Sequence, residues 1–136
     1  MSILKFLGKD IIELKYIKNI PKPTGKLVIE NSFNGKFSES DQKSFCDVYV
    51  SVHDENSNEI SINLRLIGIF EYDIAQLTEE DKRNIEIEMY HRMYPLWSSI
   101  INSVFLIIGI PPITISLPKM EEDQMDIDSD KHTPVN

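Results

Sequence analysis

Hydrophobic and polar positions alternate through most of the first seventy residues. The cleanest stretch is Cys46, Val48, Val50 and Val52 against Asp47, Tyr49, Ser51 and His53. A period of two is that of a strand with one buried face. Residues 60–71 repeat it, with Ile60, Ile62, Leu64, Leu66 and Phe70 opposed by Ser61, Asn63, Arg65 and Glu71. Asp54–Asn58 between them predicts a hairpin loop. Gly68 marks a bend or a close approach of another element. Residues 3–17 predict a first strand. Leu4, Phe6, Ile12, Leu14 and Tyr16 share one parity, and so does Asp10, which calls for a bulge at Gly8-Lys9 or an edge position for Asp10. Lys26–Phe37 predicts a looser strand with Leu27, Ile29, Asn31 and Phe33 on one face and a turn or bulge signal at Asn34-Gly35. Pro21 and Pro23 sit in a connection too long for a tight turn, residues 19–25. It reads as a crossover to another place in the sheet. The polar run Ser38–Ser44 reads as a solvated loop.

The period then changes. Thr78 followed by Glu79, Glu80 and Asp81 is a helix start, with acids at the positive end of the helix dipole. Ile85, Met89 and Met93 repeat at helical spacing and predict a short helix. It leads into Tyr94–Pro118, the most apolar segment of the chain. Pro95 reads there as the head of a second helix, and Gly109-Ile110-Pro111-Pro112 as its stop. A helix over 96–108 that is apolar nearly all round calls for two covers: the domain's own sheet and a second copy of the chain. Strands followed by helix predict an α+β domain over residues 1–118, a four-stranded antiparallel sheet with a long apolar C-terminal helix on one face. Residues 119–136 predict a disordered acidic tail, with Glu121, Glu122, Asp123, Asp126, Asp128 and Asp130 against Lys119 and Lys131.

Composition narrows the function classes. The 136 residues carry a formal net charge of −8, with no basic cluster. That speaks against nucleic acid and against an anionic membrane surface, both of which need a positive stripe. The apolar helix is short of the ~20 residues a bilayer requires, and Ser98, Ser99, Asn102 and Ser103 interrupt it. No secretory signal pattern opens the chain, and the single Cys46 fits a reducing compartment, so a cytoplasmic location is expected. Phosphate-cradling glycine loops, Cys-x-x-Cys and His-Glu-x-x-His are absent from the sequence. His53, His91 and His132 sit in a strand, a helix and the tail, with no ligand spacing, so no metal is expected. Cys46 lies on the Val48 parity and reads as a small core residue. Glu79, Glu80 and Asp81 read as a solvated helix N-terminus. No cofactor and no enzyme activity are expected.

Local motifs and the order of elements resemble the SecB-like export chaperones. Phe6-Leu7-Gly8-Lys9-Asp10-Ile11 is similar to that family's opening strand. Gly68-Ile69-Phe70 is similar to its Gly-Ile-Phe. Tyr94-Pro95, the apolar helix and Gly109-Ile110-Pro111-Pro112-Ile113-Thr114-Ile115 resemble its aromatic-Pro helix and the segment after it. The resemblance covers residues 3–118 and implies a dimer of dimers. It also implies ATP-independent binding of unfolded polypeptides in apolar surface grooves, for protein export. The alternative is a partner-specific chaperone or adaptor, for example for an antitoxin, since some SecB-like proteins serve toxin–antitoxin systems. Of the family's acidic contacts to the motor SecA, Asp10 matches one. A second position is Leu14 here, with Glu13 adjacent, and a third is Asn63. Asp10 and Glu13 are thus the candidate SecA contacts.

For client contact, the strand faces nominate Leu14, Tyr16, Leu27, Ile29, Phe33, Tyr49 and Phe70. For self-association, the helix nominates Trp97, Ile100, Ile101, Val104, Phe105 and Ile108.

Overall fold

The computed structural model describes residues 4–110. The expected acidic tail and the segment 111–118 lie outside the described residues. Four strands, β1 (Leu4–Lys18), β2 (Leu27–Ser38), β3 (Lys43–Asp54) and β4 (Ser57–Tyr72), are followed by one helix, α1 (Glu79–Ile108). The strands form one antiparallel sheet in the order β1-β4-β3-β2. The Pro-containing connection after β1 therefore carries the chain from one edge of the sheet to the other, as its length and prolines predict. The β3–β4 connection is tighter than expected, with Asp54 opposite Ser57.

That turn is held by one carboxylate. Asp54 accepts the Thr24 N–H at 2.6 Å, the Thr24 hydroxyl at 2.9 Å and the Asn56 N–H at 3.1 Å. Burial alone would raise its pKa. The backbone donors Thr24 and Asn56 and the Thr24 hydroxyl outweigh that, and hold it below the ordinary 3.8. The crossover loop is thereby tied to the β3–β4 hairpin.

β3 and β4 build the core. Cys46, Val48, Val50 and Val52 from β3 are buried, as are Ile60, Ile62, Leu64, Leu66, Phe70 and Tyr72 from β4. They lie under α1, which contributes Ile85, Met89, Tyr90, Met93, Trp97, Ile101, Val104 and Phe105 at three- and four-residue spacing. Phe33 of β2 joins them, its ring 4.7 Å from that of Tyr90. The Tyr90 hydroxyl donates to Asn31 Oδ1 at 2.9 Å, so this polar pair inside the core is satisfied. Gly68 is the close approach that its place in β4 suggested. A Cβ there would collide with Met93 Sδ.

The helix corrects two expectations. It is a single element of 30 residues, with Pro95 inside it rather than at its head. Proline deprives the carbonyl four residues back of its N–H partner. Here that residue is His91, and both His91 and Pro95 are exposed, so the unpaired N–H position falls on the solvent side of the helix. The true start is Thr78, in a reciprocal capping box. The Asp81 N–H donates to Thr78 Oγ1 at 3.0 Å and the Thr78 N–H donates to Asp81 Oδ2 at 3.0 Å. The helix is also not apolar all round. Asn84, His91, Pro95, Ser99 and Ser103 form its outer face, and the apolar residues of 97–105 turn inward. Only at its last turn does it expose large apolar side chains, Leu106 and Ile107.

Gly109 ends the helix in the left-handed region at φ 79°, with the Ile110 N–H donating to the Phe105 carbonyl at 2.7 Å. The last turn holds no basic residue of its own. Lys18 of β1 supplies one, its Nζ 2.5 Å from the Ile108 carbonyl oxygen. At the other end, Lys82 lies 3.7 Å from Glu39 in the β2–β3 turn. The helix thus crosses the sheet obliquely, from the β2–β3 turn to the last residue of β1.

Candidate partner-binding surface

The oblique crossing leaves β1 uncovered beyond Leu4, which is buried in the core. Among the described residues it pairs with β4 alone, so its other edge is open. Phe6, Leu7, Ile11, Ile12, Leu14, Tyr16 and Ile17 are all between 37% and 48% exposed. No other strand shows this. Outside β1, the exposed large hydrophobics among the described residues are Tyr49, Leu106 and Ile107.

Register assigns the faces. Leu14 is opposite Leu64, Tyr16 opposite Ile62, Ile11 opposite Leu66 and Phe6 opposite Phe70. Directly paired residues point to the same side of an antiparallel sheet, and Leu64, Ile62, Leu66 and Phe70 are buried under α1. Phe6, Ile11, Leu14 and Tyr16 therefore extend the core face beyond the edge of the helix as an apolar shelf. Phe6 meets Phe70 edge-on, with centroids 5.3 Å apart. Ile17, opposite Ser61, points to the other side. Register shifts fall between Phe6 and Gly8 and between Ile11 and Glu13. The extra residues are Leu7 and Ile12, so the expected bulge near Gly8-Lys9 comes one residue earlier and a second one lies farther along the strand. Each bulge reverses the parity of the residues after it. The strand consequently presents apolar groups on both faces.

The outer face of the sheet is different in kind. Arg65 grips the buried Asp47 in a fork, with Nε 3.1 Å from Oδ1 and Nη2 2.8 Å from Oδ2. The hydrogen bond to Asp47 raises the Arg65 pKa further. The guanidinium lies 5.0 Å from the centre of the Tyr49 ring. Glu13, Glu30, Ser51 and Asn63 complete a shallow polar cleft around them. Glu13 and Asp10, the candidate SecA contacts, are both exposed and on this face, opposite Arg65 and Ile67.

The nominated client residues therefore divide. Leu14 and Tyr16 share the apolar shelf. Tyr49 is exposed on the opposite face of the sheet. Leu27 and Ile29 are half-buried against the core. Phe33 and Phe70 are core residues, 4% and 0% exposed, and are not available to another chain in this fold. Of the nominated self-association residues, Trp97, Ile101, Val104 and Phe105 are buried against the sheet of their own chain. Ile100 and Ile108 are half-buried. The correction has one cause: helix residues that look too apolar for one cover are absorbed by a sheet of buried Val, Ile and Leu. The sequence reading omits Phe6, Leu7, Ile11, Ile12 and Ile17. The signal that could have found them is the density of apolar residues on both parities of the first strand.

Among the described residues no three His, Cys, Asp or Glu side chains gather as metal ligands, and no helix is long and apolar enough to cross a membrane. The buried Cys46 thiol is pushed far up in pKa by desolvation and by the nearby Asp47 and Glu86 carboxylates, which makes it a poor nucleophile.

No family model matches the chain, and no curated protein matches it in sequence. A solved structure does resemble it: the SecB-like chaperone Rv1957 of Mycobacterium tuberculosis, in complex with a ChAD peptide from the HigA1 antitoxin Rv1956. The TM-score is 0.67 at 10% sequence identity, over 85% of this chain and 88% of that one. The likeness establishes a SecB-like fold.

Proposed function

We propose that the protein is a SecB-like chaperone or adaptor that binds an extended apolar segment of a partner protein along β1, without nucleotide or metal. The observation that carries this is the row of seven half-exposed large apolar side chains on one strand of a domain whose other three strands expose Tyr49 alone. Covering the exposed part of one such side chain stabilises a complex by about 1 kcal/mol. Several must act together to offset the loss of freedom of an extended partner. The open edge adds backbone hydrogen bonding, the usual companion of apolar side-chain contacts when a strand is added to a sheet. The similar fold of Rv1957, solved with an antitoxin-derived peptide, supports a dedicated partner over general service to export.

The test is to co-purify partners with the native chain and with Leu14→Ser/Tyr16→Ser. One dominant partner, lost with the double variant, supports the reading. Partners retained at native level by the variant sink it.

A general holdase is the second reading, favoured by the apolar groups on both faces of β1, which suit clients of varied sequence. Suppressing the aggregation of a chemically unfolded protein at stoichiometric ratio, without ATP, distinguishes it. Within this proposal self-association falls to the last turns of α1, where Ile100 and Ile108 are half-buried beside the exposed Leu106 and Ile107. Asp10 and Glu13 remain the residues to substitute when asking about SecA.

A further inference from the structure

The outer face of the sheet is not polar throughout. Its cleft gathers around the Arg65–Asp47 fork. Nearer the Leu4 end, register sets Phe45 opposite Ile69, with Ile67 two residues earlier on the same face of β4. The first bulge sets Leu7 and Gly8 together against Ile69. Leu7 is exposed, and Phe45, Ile67 and Ile69 are half-buried. None of the four belongs to the core or packs against it, because α1 lies on the opposite face. They form an apolar patch across β1, β4 and β3 that no element among the described residues covers.

Two further observations say what fits there. Gly8 borders the patch, and its φ lies outside the left-handed region. A Cβ at Gly8 would meet nothing within 4 Å. A strand glycine that neither its own backbone nor its neighbours require marks the close approach of another chain. The rim supplies charge. Lys5 and Lys43 stand on either side of Glu71, and Lys36 stands opposite Phe45. Asp10, opposite Ile67, is the second acid. Three lysines thus meet two acids, in a chain of net charge −8. Among the described residues none of these lysines is in an ion pair.

The geometry points to this patch as a second docking surface, for an acidic segment of a partner protein. Aliphatic side chains of that segment cover Leu7, Phe45, Ile67 and Ile69, and its carboxylates meet Lys5, Lys36 and Lys43. The carboxylates select the segment and speed its arrival, while the apolar contacts hold it. A basic segment would meet like charge at all three lysines. The surface lies across the sheet from the apolar shelf of Leu14 and Tyr16, so each can be tested without the other.

Two labelled synthetic peptides serve as probes, one alternating Glu with Leu and the other Lys with Leu. Each is titrated into the full chain, with affinity read by fluorescence anisotropy and the site by NMR amide shifts. The Glu peptide is expected to bind and to move the amides of Gly8, Phe45, Ile67 and Ile69. Lys36→Glu/Lys43→Glu should weaken it about tenfold or more, and so should a rise in salt. Phe45→Ser, shown to be folded by circular dichroism, should weaken it as well. Leu14→Ser/Tyr16→Ser should leave its affinity unchanged. Absence of binding overturns the inference, as does native affinity in the lysine variant or equal binding of the Lys peptide at the patch. Shifts confined to the Leu14 and Tyr16 shelf overturn it in favour of that surface alone. Patch shifts that grow with protein concentration when no peptide is present overturn it in favour of a second copy of the chain.

Discussion

β1 and β4 lie side by side over thirteen paired positions, and both are rich in large aliphatic residues. Yet Ile60, Ile62, Leu64, Leu66 and Phe70 are sealed, whereas Ile11, Leu14 and Tyr16 are more than a third exposed on the same face. Nothing in residue type separates the two strands. The difference is the path of α1, which lies over β3 and β4 and reaches β1 at Lys18. An apolar position in a strand marks a face that can be covered. Whether it is covered depends on where the single helix lands. In this fold β4 is sealed in the core and most of β1 is left as an open apolar surface.

That contrast can be broken from the β4 side first. Phe70→Ala removes a fully buried ring and is expected to cost about 3–5 kcal/mol of stability. Urea unfolding followed by far-ultraviolet circular dichroism measures it. An effect as small as that of a β1 substitution would mean the two strands are not different. From the β1 side, Leu14→Ser/Tyr16→Ser is expected to weaken binding of a co-purified partner tenfold or more, equivalent to about 1.4 kcal/mol. The same unfolding experiment should show a stability change of about 1 kcal/mol or less. A large stability loss would show that these side chains are structural after all.

Lys18→Met sharpens the comparison at the point where helix and β1 meet. Removing the cation from the helix C-terminus is expected to lower stability by about 0.3–1 kcal/mol, and less in high salt. Salt-independent loss would argue for packing rather than charge. The smallest effect concerns Asp54, which ties the loop leaving β1 to the β3–β4 hairpin. Its folded pKa lies below its ordinary value of 3.8. The resulting stability is fully present above that value and disappears as pH falls through the lower, folded pKa. Acid titration of the native chain should therefore show a loss of stability below pH 3.8 that is shallower in Asp54→Asn. Matching slopes would remove Asp54 from the account.

Much of the fold was legible in the sequence because it rests on local periodicities. The alternation of Cys46–Val52 and Ile60–Phe70 names both strands and their buried face. Thr78 and Asp81 name the helix start. The prolines at 21 and 23 name the crossover. Pro95 misled, because a proline at the head of a helix and one on its exposed side look alike until burial is known. The apolar run 97–105 misled for a related reason. Composition shows that a helix is greasy, but the number of covers it needs depends on the width of the sheet below it. The bulges at Leu7 and Ile12 were half legible, since Asp10 falls on the wrong parity, but their number and position depend on pairing with β4.

The sequence by itself determined four strands then helix, the inward faces of β3 and β4, and a protein without nucleotide, disulfide or metal-ligand motifs. These are properties of short windows, where period and residue type suffice. Only the tertiary structure decided that Phe33, Phe70 and Trp97 belong to the core and that the apolar residues of β1 beyond Leu4 do not. Exposure is fixed by the crossing of distant elements, and one helix cannot span the full width of a four-stranded sheet. The strand left outside it carries the apolar surface on which the function is proposed to rest.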